Sequence, residues 1–315
     1  MENNAQEDEH IAWLEKLKSK YSDSGLDTNT FLEGLFWAKP INYWDYIEVD
    51  TLLSLQKPRT VLPDESVFIM YHQVNELLFK MILHEVDQIA EEKNLTPDFF
   101  SNRLNRISRY FDVLTSSFSI MKDGMTRDQY LKFRTTLTPA SGFQSGQYRM
   151  IEICSTDLHN LLDARFKEKL PKDSSWEEKV DHLYWQAAGK NYETGSKTQT
   201  LRIFEERYRD SFIDLAREYE HKNIWRRFLS LPDKVQRDEA LRTAMRHFDR
   251  TVNISWVMAH YNSARHYLES DGEPKEATGG SDWKKYMHPK YQRRIFFPGV
   301  WTSDELANWG CDQPE

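Results

Sequence analysis

The sequence predicts an all-α protein, a bundle of long amphipathic helices, and three observations carry that expectation. Glycine and proline are few, twelve and eleven in 315 residues, which disfavours turn-rich sandwiches and barrels. Apolar residues recur three and four positions apart over long stretches, the period of a helix with one buried face. Alternating runs of strand type are scarce, so the natural architecture is helix packed on helix. Aromatic residues reach 13%, with ten Trp and fifteen Tyr, and supply large side chains for such a core.

The elements follow in chain order. Residues 1–9 are expected to be a loose polar tail, and Ile11, Leu14, Leu17 and Tyr21 then mark a helix that ends at the turn-prone SDSG, 22–25. The segment 31–57 carries Phe31, Leu35, Phe36, Trp37, Tyr43, Trp44 and Tyr46, is broken at Lys39-Pro40, and reads as short ring-rich helices before a loop through Pro58 and Pro63. A long helix is expected over 65–93, with Phe68, Tyr71, Asn75, Leu78, Ile82, Val86 and Ile89 on one face and Asp64 as its N-cap. A second covers 101–122 through Leu104, Ile107, Phe111, Leu114, Phe118 and Met121. Shorter helices are expected at 126–136 and 144–165, then, beyond a polar connector at 167–180, at 181–188, 198–220 and 235–268. After Leu268 the run ESDGEPKEATGGSDW marks a loop able to close over a site. The implied domains are an N-terminal tail and helix (1–30), a helical domain (31–287) and a C-terminal extension (288–315) that packs back on it.

Composition narrows the function. A formal charge of −8 disfavours a nucleic-acid partner, and Arg226-Arg227 and Arg293-Arg294 read as solvated surface. Cys154 and Cys311 form no CxxC or CxxCH element, so a disulfide framework, a zinc knuckle and covalent heme attachment lack their usual pattern. The acidic start MENNAQEDEH is unlike a signal peptide, and no stretch approaches the ~20 apolar residues of a membrane helix. A soluble, cytoplasmic protein with no membrane partner is the expectation.

Four stretches carry candidate chemistry. In Phe68–Glu76, His72 lies one helical turn after Phe68, though a single His on such a helix is commonly a satisfied core residue. In Tyr130-Leu-Lys-Phe-Arg134, a ring and a guanidinium share one face ahead of the tight turn LTPASGFQS. Arg suits a carboxylate, and an ordinary helix connection with a paired Arg is the plain alternative. In Trp256-Val-Met-Ala-His260 an indole precedes an imidazole by one turn, with small Ala264 one turn after, and a helical His is a common heme ligand. His266 is the competing ligand, turned away from His260. Finally, Thr278-Gly279-Gly280-Ser281 pairs a hydroxyl with glycines that allow close backbone approach, without the Lys or spacing of a P-loop.

Taken in order, these stretches resemble the tryptophan 2,3-dioxygenase family. FRTTLTPASGFQSGQYR (133–149) carries the most specific likeness. FIMYHQVNELLFKMILHEV (68–86) is similar to the family's distal-pocket helix, Trp256–His260 with Thr278–Ser281 to its proximal helix and closing loop, and INYWDY (41–46) more weakly to an N-terminal segment. The resemblance spans roughly residues 30–287. It implies a heme-dependent dioxygenase adding O2 across the indole C2–C3 bond of L-tryptophan to give N-formylkynurenine. His260 would be the axial ligand of heme b. Arg134 would clamp the substrate carboxylate and Thr278 its amino-acid end. His72 would bond the indole N–H between Phe68 and Tyr130, and Ser141 and Gly142 would lie on the oxygen side. The family's homotetramer, with N-terminal segments exchanged, is the implied assembly.

The chain departs from the family pattern in the longer spacing between His260 and Thr278, in Asp282-Trp283-Lys284-Lys285-Tyr286 after Ser281, and in INYWDYI. A heme oxygenase of the wider superfamily, acting on a modified tryptophan, another indole or tyrosine, therefore stays open. A di-iron bundle would need repeated Glu-x-x-His pairs, of which the body offers Glu218-Tyr-Glu-His221 alone. A purely helical interaction protein is the non-enzymatic alternative.

Overall fold

The longest helix forms where the apolar period is longest. The computed structural model describes residues 2–22, 25, 27–137, 144–269, 284 and 287–313. Their regular structure is helical, with isolated bridges such as Leu162 to Leu183 and no strand among the described residues. Two units divide the chain, Met1–Gln56 and Lys57–Glu315.

The first unit holds α1 (Glu2–Tyr21), α2 (Thr28–Trp37), α3 (Tyr43–Tyr46) and α4 (Val49–Leu53). Tyr21 stacks on Phe31 at 3.8 Å and joins α1 to α2. The helix begins at Glu2, so residues 2–9 are helical where a tail was expected. Phe36, Trp37, Tyr43, Trp44 and Tyr46 are all exposed.

The second unit is built on α5 (Pro63–Glu91), which packs against α6 (Pro97–Ser116), α8 (Arg127–Phe133) and α9 (Gly146–Ser155). Pro63 stands at the start of α5, where its missing N–H costs nothing. The N-cap is Leu62, and Asp64 does another job: its Oδ2 accepts from the Thr126 N–H at 2.7 Å and hydroxyl at 2.8 Å. That carboxylate pins the start of α8 beside the first turn of α5.

Sequence periodicity located the helices better than their breaks. The expected 101–122 helix divides at Ser117 into α6 and α7 (Phe118–Asp123). The expected 144–165 helix stops at Ser155, because Thr156 is extended and donates its hydroxyl to the Phe296 carbonyl. Within the expected polar connector, α10 (Trp176–Val180) forms, and 184–188 is a 3-10 turn. Next come α11 (Gln199–Glu218), α12 (Ile224–Leu229) and α13 (Asp233–Gln236). The expected 235–268 helix is α14 (Glu239–Arg250), one π-helical turn over Thr251–Ser255, and α15 (Trp256–Glu269). Asp238 caps α14 by accepting from the Leu241 N–H.

The core runs through Phe79, Ile82, Phe111, Ile151, Phe204, Phe212, Met245 and Phe248. Each large apolar side chain so buried contributes roughly 1.5–3 kcal/mol. The C-terminal segment is part of it. Phe296 and Phe297 are fully buried against Phe248, and α16 (Ser303–Ala307) follows with a capping box between Thr302 and Glu305. Arg226 pairs with Asp157 and Arg227 donates to backbone carbonyls of α5 and of Glu92. Arg294, expected on the solvated surface, is buried instead.

Candidate active site

Three helices bring the described ones among the predicted residues into one chain of ring contacts. On α5, Phe68 lies 4.1 Å from the His72 ring, 6.2 Å from Tyr130 and 5.5 Å from Phe133. On α8, Tyr130 also packs at 4.3 Å on Tyr267 of α15. Arg134 closes α8 one turn beyond Tyr130, near enough to act on the phenol electrostatically. From the other side, His260 stacks on Phe118 at 5.5 Å and 17°, and Phe118 meets Tyr71, whose ring edges onto His72. A continuous chain of rings thus links the substrate-side candidates to His260.

Hydrogen bonding fixes the chemistry of His72. Its Nδ1 lies 2.7 Å from the Phe68 carbonyl oxygen, an acceptor, so Nδ1 carries the proton and donates. In the neutral ring Nε2 is then a bare acceptor. Burial lowers the His72 pKa, opposed by the Phe68 carbonyl and by Glu76. The same ring keeps an exposed surface.

His260 is neutral for a stronger reason. Burial, followed by His72, Arg149 and Arg294, drives its pKa down to about 4. Neither ring nitrogen has a hydrogen-bond partner among the described residues. The residue keeps part of its surface accessible. A neutral imidazole with no hydrogen-bond partner among the described residues, set among aromatic rings, would suit ligation of a heme iron. Trp256, 5.8 Å from His260, stacks on Tyr148 at 4.6 Å, and its indole Nε1 is buried with no partner among the described residues.

Ser141, Gly142 and Thr278 lie outside the described residues, as does most of the closing loop. No group of three or more metal-ligating side chains occurs among the described residues, and His221 is exposed beside Glu220. The di-iron alternative therefore gains nothing. His266 stands at a groove with Asn262, Arg265 and Glu269, and its ring meets the edge of Tyr267 at 5.1 Å.

Comparison with known proteins decides the family. A family model described as tryptophan 2,3-dioxygenase matches residues 36–273. The chain belongs to this family. A tryptophan 2,3-dioxygenase of Ruegeria sp. (strain TM1040) is 38% identical over 133 residues, 42% of this chain and 47% of that protein. One from Sorangium cellulosum (strain So ce56) is 38% identical over 152 residues, 45% of this chain and 35% of its own. The Bacillus anthracis enzyme is 41% identical over 115 residues, covering 36% and 40%. The matched stretches span less than half the length of each of these relatives.

Membership in the tryptophan 2,3-dioxygenase family gives the site a context that sequence reasoning only partly supplied. Tyr71, Phe118 and Tyr267 had the period of core residues, and nothing local distinguished them from packing. Tyr267 lies seven residues beyond His260, the same face two turns on, and that spacing was the available signal. The buried group around Arg149 and Arg294 had none, since its members come from segments far apart in the chain.

Proposed function

We propose that the chain is a heme-dependent dioxygenase that adds O2 across the indole C2–C3 bond of L-tryptophan to give N-formylkynurenine. The observation that carries this reading is a pair of neutral imidazoles, His72 and His260, joined through Tyr71 and Phe118 by one chain of ring contacts. His72 offers an Nε2 acceptor, and His260 has no hydrogen-bond partner among the described residues.

His260 is assigned as the axial ligand of heme b. When bound, the heme supplies the iron at which dioxygen is activated. The remaining work belongs to the chain. His72 Nε2 accepts the indole N–H and so fixes which edge of the ring faces the oxygen. Phe68 and Tyr130 hold the indole plane, and Arg134 forks onto the substrate carboxylate. Thr278 is assigned to the amino-acid end, with Ser141 and Gly142 on the oxygen side. Water leaves when the indole fills the ring-lined site, which strengthens each polar contact there. A site that pairs these groups rejects analogues lacking them.

The proposed assembly is a homotetramer. It is supported by the exposed stripe Met70, Val74, Leu77 and Met81 along α5 and by the exposed rings at 36–46. The proposed compartment is the cytoplasm, supported by two free cysteines. No described helix is long and apolar enough to cross a membrane. The sequence offers no reason to expect a nucleic-acid partner.

An absorption spectrum of protein made with ample heme, before and after anaerobic reduction, tests the reading. A Soret band that shifts with L-tryptophan, followed by N-formylkynurenine when oxygen is admitted, is the expected result. Protein without a Soret band would sink it. A band that L-tryptophan neither shifts nor consumes would transfer the reading to a modified indole or tyrosine, the direction in which the residues after Ser281 depart from the family.

A further inference from the structure

The seven residues of α8 carry Tyr130 and lead into Arg134, and a helix that short holds no fixed place on its own. Its position is set by anchors at both ends. At the start, Asp64 Oδ2 holds the Thr126 N–H and hydroxyl, and the Asp64 N–H donates to Gln129 Oε1 at 3.1 Å. Arg127 Nε donates to the Tyr267 carbonyl at 3.1 Å. At the far end Arg134 opens a 3-10 turn, Arg134–Leu137, and the Thr136 carbonyl in that turn accepts from Arg59 Nη1 at 2.9 Å. Arg59 belongs to the strap of chain that enters α5. Glu65, almost fully buried in the first turn of α5, fastens that strap. Its carboxylate accepts from the Arg59 N–H at 2.9 Å, from the Thr60 N–H at 2.6 Å and from the Thr60 hydroxyl at 2.6 Å. A short bonded path thus runs from α5 through the strap to the turn that begins at Arg134.

We propose that Arg59, fastened by Glu65, is a positioning residue that aims the Arg134 guanidinium and so sets the preference for an indole that carries a carboxylate. The inference rests on the assignment of Arg134 to the substrate carboxylate above. A guanidinium forks onto a carboxylate through two parallel bonds, and a small displacement spoils that geometry. Arg134 leaves the backbone where α8 passes into the 3-10 turn, and its own N–H still bonds the Tyr130 carbonyl. Holding the Thr136 carbonyl two residues on limits how that junction can turn. Arg59 and Glu65 act through this backbone and need no contact with the substrate. A strap that only covered the start of α5 would affect stability and leave the preference among ligands unchanged.

The test is titration of the Soret band of the holoprotein with L-tryptophan and with tryptamine, which keeps the indole and the ammonium but lacks the carboxylate. Arg59 is exposed, so Arg59→Gln leaves the core untouched. It is expected to weaken L-tryptophan binding about tenfold and to leave tryptamine at its wild-type dissociation constant. Glu65→Gln loosens the strap and is expected to weaken L-tryptophan in the same selective way. The two substitutions change the charge in opposite directions, so charge alone would weaken the carboxylate ligand in one and tighten it in the other. Selective weakening in both supports the proposal. L-tryptophan affinity that stays at wild type in either variant, losses shared equally by the two ligands, or shifts of opposite sign overturn it. If Glu65→Gln does not fold, Arg59→Gln is titrated again at high salt. A selective loss that persists supports the strap, and one that salt abolishes is an effect of screened charge and overturns it. Wild-type protein that takes up no heme, or binds both ligands equally, removes the reading of Arg134 and this inference with it. Wild type that prefers L-tryptophan while either variant keeps that preference overturns the strap alone.

Discussion

At the residue scale, His260 carries a measurable signature even without heme. An unfolded imidazole takes up its proton near pH 6.5, whereas the folded one does so only near pH 4. Above 6.5 neither state is protonated and the full stability is present. As the pH falls from 6.5 toward 4 the unfolded chain binds a proton that the fold refuses, so stability drops, and below 4 the loss levels off. After allowance for partial solvent screening, the loss is on the order of 2 kcal/mol. Urea midpoints of heme-free protein at pH 7 and pH 4.5 would record it, and His260→Gln should shrink the difference. An equal acid loss in the variant would show that His260 is not held neutral. Arg134 makes a separate prediction. Replacing it with Ala should weaken L-tryptophan binding to the holoprotein by ~2–5 kcal/mol, the worth of a desolvated charge pair. A titration of the Soret shift giving the wild-type dissociation constant would remove Arg134 from the site.

At the element scale, Gly146 shows how closely α9 is packed. A Cβ placed there would stand 2.7 Å from the Tyr208 ring, and Tyr208 is itself stacked on Phe212. Gly146→Ala should therefore destabilise the fold by about 1–3 kcal/mol, against the usual helix preference for Ala. A denaturant midpoint at or above wild type would mean that the ring yields freely. The position illustrates what the sequence could and could not disclose. The 3.6-residue period of α5, α6 and α11 was legible because their buried faces are continuous. Breaks at Ser117 and Ser155 and the π turn at Thr251–Ser255 were not, and the end at Ser155 goes with a distant partner, the Phe296 carbonyl that Thr156 bonds. The same division holds at the site. Phe68, His72, Tyr130, Arg134 and His260 were legible as motif residues at i, i+4 spacing. Tyr71, Phe118 and the Arg149–Arg294 cluster needed the fold, because three-dimensional neighbours leave no trace in the spacing of one helix.

At the scale of the whole molecule, one buried carboxylate gathers several of the bonds that tie the C-terminal segment to the bundle. Asp249 on α14 accepts from the Phe296 N–H at 2.9 Å and the Phe297 N–H at 3.1 Å. It also accepts from the Trp301 indole at 2.9 Å and the Asn253 amide at 2.8 Å. Burial raises its pKa and these donors oppose the rise. Thr156, where α9 ends, bonds the Phe296 carbonyl, so one short stretch ties α14 to the end of α9. Asp249→Ala strips several buried donors of their acceptor at once, and the expected cost is on the order of 3–5 kcal/mol. Hydrogen exchange at the Phe296 and Phe297 amides should rise to the rate of local opening in the variant, while the amides of α5 and α6 keep their protection relative to global unfolding. Uniform acceleration across all three segments would mean instead that the C-terminal segment opens only when the whole bundle does, and that Asp249 supports the fold rather than the attachment.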